Sequence, residues 1–435
     1  YIQKISLNRK NCGSDSGLIQ SPNKMSEEIA EQINSENNGA IEANKADDEN
    51  EVVANNDNVE ENEAGDVKEV GEENEAVEEN KSIEDNGEEE VPEEEVPKND
   101  PLQKAQEPVS LDGPTQLELD ATEKLVEFLK KNECYESEER SQKRKEVLEE
   151  LQAITNEFVR KAANQNGIEP TVEGEPVKCQ LFPFGSYRLG VCNTTSDIDC
   201  LCITPRFVTR ANFFSILYEL LHKNPKVDGL QKITGAFVPI LTMEYDTIDI
   251  DISFASLDMD TIPDDIDLSD DSLLNNLDMH AYMSINGVRT NDMMLQLLPN
   301  VESFRTLLRF IRLWSKKRAI YGNVYGYLGG VNLALLAVFI CQKFPNAAPA
   351  TLVLMLFDEL MDWDWPSPIY INTPNEGPLE SWSPSTSQDV MPIITPSYPC
   401  INSTRSASKS TLHRMTEEFK LGYKITQSII LKKKK

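Results

Sequence analysis

The chain has 435 residues and a formal net charge of −32 at pH 7. This length allows two or three domains of roughly 150 residues each. No run of apolar residues reaches the roughly 18–20 that a membrane span needs, and no histidine lies near a cysteine at metal-ligand spacing. The sequence therefore argues against a membrane span and against a zinc site.

The negative charge is concentrated near the start of the chain. Residues 26–110 contain 30 acidic and 5 basic residues and no Phe, Trp or Tyr. Such a segment cannot bury enough apolar surface to offset the entropy that is lost on ordering. We therefore predict that residues 1–112 form a disordered, acidic segment. The chain ends in a basic tail, residues 432–435.

The remaining sequence predicts an α+β protein. An Asp120/Glu123 capping box begins a first helix, and Thr209 caps another. Apolar spacing predicts helices over 141–163, 211–223, 301–320, 331–344, 350–362 and 410–431. Strands are predicted over 179–184, 198–203, 237–244 and 248–254. A Pro- and Ser-rich stretch, 366–400, separates the last helix from the others.

A Gly-Ser turn is followed by two paired aspartates. At Gly185-Ser186, the glycine lets backbone amides and a hydroxyl approach phosphate oxygens closely. Asp197 and Asp199 alternate with an isoleucine, so in an extended chain both carboxylates share one face. Holding two carboxylates together is costly unless a cation lies between them. Each motif alone also fits an ordinary solvated turn.

A later predicted strand adds a third carboxylate. In Ile248-Asp249-Ile250-Asp251-Ile252 the aspartates share one face, and alternation does not rank Asp249 against Asp251. A Gly-Ser turn, an Asp-x-Asp about ten residues on, and a carboxylate on a later strand form the arrangement that two-metal nucleotidyl transfer needs. Mg²⁺ prefers such carboxylate oxygens.

The helix predicted over 301–320 carries a basic stripe. Its members fall within roughly 60° of one another at 100° per residue: Arg305, Arg309, Arg312 and Lys316. In an otherwise acidic protein this stripe favours phosphate binding, although a solvated charged face would look the same. A glycine-rich turn, 326–331, follows and allows close approach of a ligand.

These stretches resemble the eukaryotic nuclear poly(A) polymerase family, within the DNA polymerase β-like nucleotidyltransferases. The resemblance runs from about Gly113 to Leu431. It rests on Phe184 to Gly190, Ser196 to Asp199, Ala236 to Pro239, Ile250 to Phe254, Leu328 to Val331, Trp363 to Pro366 and Met391 to Pro399.

The resemblance implies a mixed-sheet nucleotidyltransferase catalytic domain over 113–298 and a helical central domain over 299–431. It leaves the family's C-terminal RNA-binding domain absent, as in a truncated sequence. It also implies transfer of AMP from ATP to RNA 3′ ends with Mg²⁺ or Mn²⁺. The enzyme would be a monomer in the nucleus and would work with 3′-end processing factors.

The resemblance also assigns site residues. Asp197, Asp199 and Asp251 match the family's metal-binding carboxylates, which favours Asp251 over Asp249. The family's nucleotide contacts fall on Phe184, Gly185, Ser186, Asn193, Val238, Arg312, Tyr321, Asn323, Gly330 and Val331.

The sequence departs from the family where nucleotide or primer contacts are expected. Thr242 and Arg312 each stand where the family usually has Lys, and Cys192 stands where it commonly has His. A guanidinium is not equivalent to an ammonium at a phosphate site. The leading hypothesis is an active polynucleotide adenylyltransferase. The alternatives are a catalytically weakened paralogue that acts as a binding or regulatory module, and a tRNA CCA-adding or signalling-nucleotide synthase.

Overall fold

The computed structural model describes residues 107–374 and 380–431. Most of the segment predicted to be disordered, and the basic tail, lie outside these residues. The prediction of disorder is wrong for residues 109–111, which are bound to the folded chain. The Val109 N–H donates to the Lys343 carbonyl at 2.8 Å, and Asn346 Nδ2 donates to the Leu111 carbonyl at 2.7 Å.

A mixed five-stranded sheet lies at the centre of the N-terminal half of the described chain. After a short hairpin, β1 (Thr171–Val172) and β2 (Glu175–Pro176), its strands are β3 (Gln180–Phe184), β4 (Ile198–Thr204), β5 (Val227–Ile233), β6 (Ile240–Tyr245) and β7 (Ile248–Ser256). Their order is β3-β4-β7-β6-β5, with β4 and β7 parallel and the other pairs antiparallel. The sequence did not predict β5, most of whose residues are exposed.

Helices cover both faces of the sheet. The N-terminal helices are α1 (Gln116–Lys131), α2 (Glu138–Gln165), α3 (Gly185–Arg188), α4 (Arg210–Asn212), a π-helical turn (Phe213–Leu217), α5 (Tyr218–His222), a 3₁₀ turn (Asp271–Leu274) and α6 (Met279–Gln296). Helix α2 and the π-helical turn pack on one face, and α6 packs on the other. The predicted Asp120/Glu123 cap of α1 is wrong: Thr115, with Glu118, caps the helix five residues earlier.

The C-terminal half of the described chain is helical. Its elements are α7 (Val301–Arg318), a 3₁₀ turn (Asn323–Tyr325), α8 (Gly330–Lys343), α9 (Pro349–Met361) and α10 (Lys409–Leu431). Nearly all of α8 is buried. Leu125 and Leu129 of α1 pack in the same core, so α1 belongs structurally with these helices. None of the helices in the described ranges is long and apolar enough to cross a membrane.

The arginines of the basic stripe join the two halves. Arg305 Nε donates to the Leu189 carbonyl at 3.0 Å, Arg309 Nη2 to the Gly190 carbonyl at 2.6 Å, and Arg312 Nη1 to the Val191 carbonyl at 3.1 Å. Three residues on one face of α7 thus bind three consecutive carbonyls, directly after α3. The stripe has a structural role that its sequence pattern did not indicate.

Apolar packing reinforces this joint. The side chains flanking Gly190, Leu189 and Val191, are buried in the helical core. Gly190 has a φ of +71°, and a β-carbon there would lie 2.6 Å from Arg305 Nε. The segment 189–191 therefore attaches the sheet domain to the helices.

We expect Arg309→Met to lower the free energy of unfolding by about 1–3 kcal/mol, because it leaves the Gly190 carbonyl without its donor. It also removes the guanidinium that lies 4.3 Å from the centroid of the Tyr135 ring. Urea denaturation would measure the change. Lys317→Met, at an exposed position on the same helix, is the matched control. If Arg309→Met and Lys317→Met are equally stable, the hydrogen bond from Arg309 to the Gly190 carbonyl does not stabilise the attachment of the two halves.

Candidate active site

The register of the sheet places the carboxylates together. Asp199 of β4 is paired with Asp251 of β7, Phe184 of β3 lies opposite Asp199, and Thr242 of β6 lies opposite Asp251. These four residues form one row across the sheet. Along each strand, side chains alternate between faces, so the row points toward the α6 face while the neighbouring isoleucines enter the α2 core.

Three carboxylates of this face converge. Oxygen atoms of Asp197, Asp199 and Asp251 all lie within 4.8 Å of one another. Asp197 is exposed, whereas the other two are half-buried. Asp249, two residues before Asp251, is exposed and is not part of the group. The geometry thus distinguishes the two aspartates that alternation could not.

A buried arginine fixes the backbone that carries Asp197. Arg144 of α2 donates from Nη2 to the Ser196 carbonyl at 2.5 Å and from Nη1 to the Asp197 carbonyl at 3.4 Å. Its Nε is paired with Glu136 Oε1 at 2.7 Å. This arginine is 53 residues from Asp197 in sequence, so no local pattern could have revealed its role.

Burial and mutual repulsion raise the pKa values of two of these carboxylates, Asp199 and Asp251. Burial raises the pKa of Asp199 to about 7, and the charges of Asp197 and Asp251 contribute. Burial also raises the pKa of Asp251, where the Thr242 hydroxyl, as a hydrogen-bond donor, acts in the opposite direction. Closely spaced carboxylates of this kind are stabilised by a divalent cation, and their hard oxygen atoms suit Mg²⁺ or Mn²⁺.

The Gly-Ser turn lies directly against this group. Gly185 has a φ of +63°, and a β-carbon added to it would overlap Oδ2 of Asp199. Only glycine therefore allows the backbone to approach the carboxylate this closely. The next residue, Ser186, lines the adjoining cleft, and its Oγ lies 3.7 Å from Sγ of Cys192.

A cleft of about 840 Å³ opens between the sheet and the helices. Most of the residues assigned from sequence line it: Phe184, Gly185, Ser186, Asp197, Asp199, Val238, Arg312, Tyr321, Asn323, Gly330 and Val331. Asp251 does not line the cleft itself, but its carboxylate lies close to those of Asp197 and Asp199, which do. Asn193 does not line the cleft; its Oδ1 accepts from Ser196 Oγ at 2.8 Å and shapes the turn before Asp197.

The helical wall of the cleft is polar near the carboxylates. The Tyr321 hydroxyl lies 3.7 Å from the position of a β-carbon on Gly330. Lys316 Nζ lies 5.0 Å from the centroid of the Tyr321 ring. Desolvation lowers the pKa of Lys316, Arg312 lowers it further, and Asp197 acts against both. An ammonium therefore lies within electrostatic reach of the carboxylate group.

Two parts of the wall were not found from the sequence. Helix α6 contributes Met283, Asn286, Gly287, Thr290, Asn291 and Met294. The end of the Pro- and Ser-rich stretch and the residues after it contribute Thr395, Ile401, Asn402, Ser403, Arg405 and Ser406. Ser397 joins these two parts, because its Oγ donates to Asn286 Oδ1 at 2.6 Å.

Residues 366–400 separate α9 from α10, as predicted, but their last part is also packed into the fold. Residues 391–400 are all buried. Helix α6 was missed because its buried face is rich in polar residues, so an apolar period of 3.6 is not visible in its sequence. The sequence feature that could have indicated this helix is its set of amide and hydroxyl side chains at helical spacing.

We expect Asp199→Asn to raise the melting temperature of the metal-free chain at pH 8 by roughly 3 °C. Because the folded-state pKa of about 7 exceeds the ordinary aspartate value of 3.8, this carboxylate destabilises the fold increasingly as the pH rises between those values. The gain should therefore shrink toward pH 5. Thermal unfolding of the chain in a chelator would measure it, with the exposed Asp249→Asn as control. A gain that is independent of pH would contradict the repulsion.

Two family models match consecutive parts of the chain. The poly(A) polymerase nucleotidyltransferase domain matches residues 106–298, and the poly(A) polymerase central domain matches residues 303–435. Among curated relatives, nuclear poly(A) polymerase 1 of Arabidopsis thaliana is 40% identical over 330 residues, which are 74% of this chain and 46% of the relative. A poly(A) polymerase of Dictyostelium discoideum is 40% identical over 328 residues, 74% of this chain and 40% of the relative.

The chain thus spans less than half the length of these relatives. Among solved structures, the Cid1 poly(U) polymerase with MgGTP bound has a TM-score of 0.52 and 14% identity, covering 71% of this chain and 95% of that chain. A structure from work on the RNA terminal uridylyl transferase activity of Cid1 has a TM-score of 0.50 and 15% identity, covering 72% and 95%. These likenesses establish the nucleotidyltransferase fold, and with the family models and the curated relatives they show that this chain belongs to the poly(A) polymerase family.

Proposed function

We propose that this chain is a template-independent polynucleotide adenylyltransferase, which adds AMP from ATP to RNA 3′ ends. The observation that carries the proposal is the convergence of Asp197, Asp199 and Asp251 beside the Gly185-Ser186 turn, at the edge of a cleft large enough for a nucleotide. Membership in the poly(A) polymerase family favours ATP and RNA over other substrates of the fold.

The carboxylate group is suited to divalent cations. Asp197, Asp199 and Asp251 would hold Mg²⁺ or Mn²⁺, which supplies activation of the attacking 3′-hydroxyl and neutralisation of the triphosphate when bound. The raised pKa values of Asp199 and Asp251 fit this assignment, since a cation would stabilise the ionised carboxylates against burial and against their mutual repulsion. A histidine base is not required, because a metal-bound hydroxyl loses its proton readily.

The cleft walls would hold the nucleotide. Ser186 and the backbone of Gly185 would contact the triphosphate, and Lys316 would place a charge near it. Val238 would pack near the base, opposite the helical wall. The further contacts proposed are Phe184, Asn193, Arg312, Tyr321, Asn323, Gly330 and Val331. Closing the helical half over ATP would exclude water from the reacting groups.

We also propose the cellular setting from the relatives. The Arabidopsis relatives are named nuclear poly(A) polymerases, which supports a nuclear location and work on messenger RNA 3′ ends. We further propose that the chain is a monomer and that it contacts 3′-end processing factors. The domain boundaries near residues 113 and 299 are proposed to separate catalytic and central parts.

Extension of an oligo(A) primer by the full chain tests the function. We expect incorporation with ATP but not with the other NTPs, in Mg²⁺ or Mn²⁺. Asp251→Asn should lower turnover by about 100-fold or more, because the loss of a metal ligand removes several kcal/mol of charge stabilisation. Asp249→Asn is the matched control and should retain turnover. No incorporation by the wild-type chain with either metal would overturn the proposal.

The doubly restored variant Thr242→Lys/Arg312→Lys tests the weakened-paralogue alternative. Arg312 already donates to the Val191 carbonyl, and the Thr242 hydroxyl donates a hydrogen bond to the Asp251 carboxylate. Both residues therefore have roles in the present site. We therefore expect wild-type turnover within about tenfold of the double variant, a difference of about 1.4 kcal/mol. Single-turnover AMP incorporation would measure both. A far larger gain in the variant would favour a binding or regulatory module.

A further inference from the structure

Two large apolar side chains face solvent beside the cleft. Val324 is 95% exposed and Tyr325 is 74% exposed, on the 3₁₀ turn that links α7 to α8. Asn323, directly before them, lines the cleft. The pair therefore lies at the cleft edge, outside the region where Asp197 and Asp199 lie. Isolated exposed apolar residues are ordinary in proteins, so their geometry decides what this pair can do.

The turn that carries them is tightly bonded. The N–H groups of Tyr325 and Tyr327 both donate to the Gly322 carbonyl at 3.1 Å, and the Gly322 N–H donates to the Leu328 carbonyl at 3.0 Å. The Gly326 N–H donates to the Asn323 carbonyl at 2.9 Å. These bonds fix the backbone positions from which the two side chains extend.

The Tyr325 ring is supported on one side. A β-carbon added to Gly322, whose φ is +114°, would lie 3.2 Å from Cδ2 and 3.7 Å from Cε2 of that ring. The ring thus rests against the glycine, while its high exposure leaves the rest open to solvent. An aromatic ring with one supported side and one open side suits stacking of an unpaired base.

A cation lies on the chain segment that packs against this turn. Arg405 is exposed and lines the cleft. Its neighbour Ser406 abuts the turn, since the Ser406 carbonyl oxygen would lie 3.0 Å from a β-carbon on Gly326. Single-stranded RNA is bound by combining stacking aromatics with cations that follow its phosphates. An apolar partner protein would not require the arginine.

We propose that Tyr325 stacks on a base of the RNA primer outside the cleft, and that Arg405 contacts a phosphate of the same strand. Val324 extends the apolar surface that the base covers. This subsite rests on the proposed function, because it assumes an RNA 3′ end in the cleft. It assigns the primer, and not the incoming nucleotide, to this edge.

The test measures RNA and ATP separately in the full chain. Fluorescence anisotropy with a labelled oligo(A), without divalent metal, gives RNA affinity, and primer extension gives KM for ATP and for primer. Tyr325→Ala should weaken oligo(A) binding about tenfold, since stacking is worth roughly 1–3 kcal/mol per base. Tyr325→Phe should bind as wild type. Arg405→Gln should weaken binding and reduce the slope of log affinity against log salt by roughly one counterion.

The controls separate the possible failures. Ile168→Ala removes an exposed apolar side chain that does not line the cleft, and should change neither affinity. KM for ATP should stay constant in Tyr325→Ala while KM for primer rises. If Tyr325→Ala binds oligo(A) as tightly as the wild-type chain, the subsite is overturned but the proposed function is not. The same outcome is expected if this face binds a protein instead of RNA. A parallel rise in KM for ATP would also overturn the subsite. Failure of the wild-type chain to bind or extend RNA would instead sink the proposed function.

Discussion

The structure depends on the electrostatic cost of bringing three carboxylates together. Asp197, Asp199 and Asp251 are held with oxygen atoms within 4.8 Å of one another, and two of them are half-buried. Burial alone opposes their ionisation, and their mutual repulsion adds to it. The fold tolerates this because backbone pairing of two parallel strands, rather than the side chains themselves, sets the register. A divalent cation held between the three carboxylates would relieve this repulsion.

The remaining architecture holds this group in place and gives it a cleft. Gly185 brings the Gly185-Ser186 turn against Asp199, and buried Arg144 holds the backbone of Asp197. The arginines of α7 then bind the carbonyls of residues 189–191, so the segment after the turn is fixed to the helical half. Any relative motion of the two halves must therefore carry or break this joint. Catalytic geometry and domain attachment are thus coupled through one short segment.

The sequence predicted the features that are local. The strands carrying the aspartates and the helices from residue 301 onward are confirmed within a few residues, because alternation and helical periodicity survive wherever one face is buried. Features that depend on distant residues were not predictable. Helix α6 buries amides and hydroxyls, residues 391–400 are buried without regular structure, and Arg144 acts 53 residues from Asp197. The stripe from Arg305 to Arg312 was visible, but its carbonyl partners lie more than a hundred residues away.

Binding of Mn²⁺ to the full chain, followed by electron paramagnetic resonance, tests the central claim most directly. We expect the wild-type chain to bind Mn²⁺, ATP to strengthen this binding, and Asp199→Asn and Asp251→Asn each to lose most of the affinity. Asp249 lies two residues before Asp251 on the same strand, and Asp249→Asn should bind Mn²⁺ as the wild-type chain does. Equal Mn²⁺ affinity in Asp251→Asn and the wild-type chain would contradict the assignment of the three carboxylates as the metal-binding group.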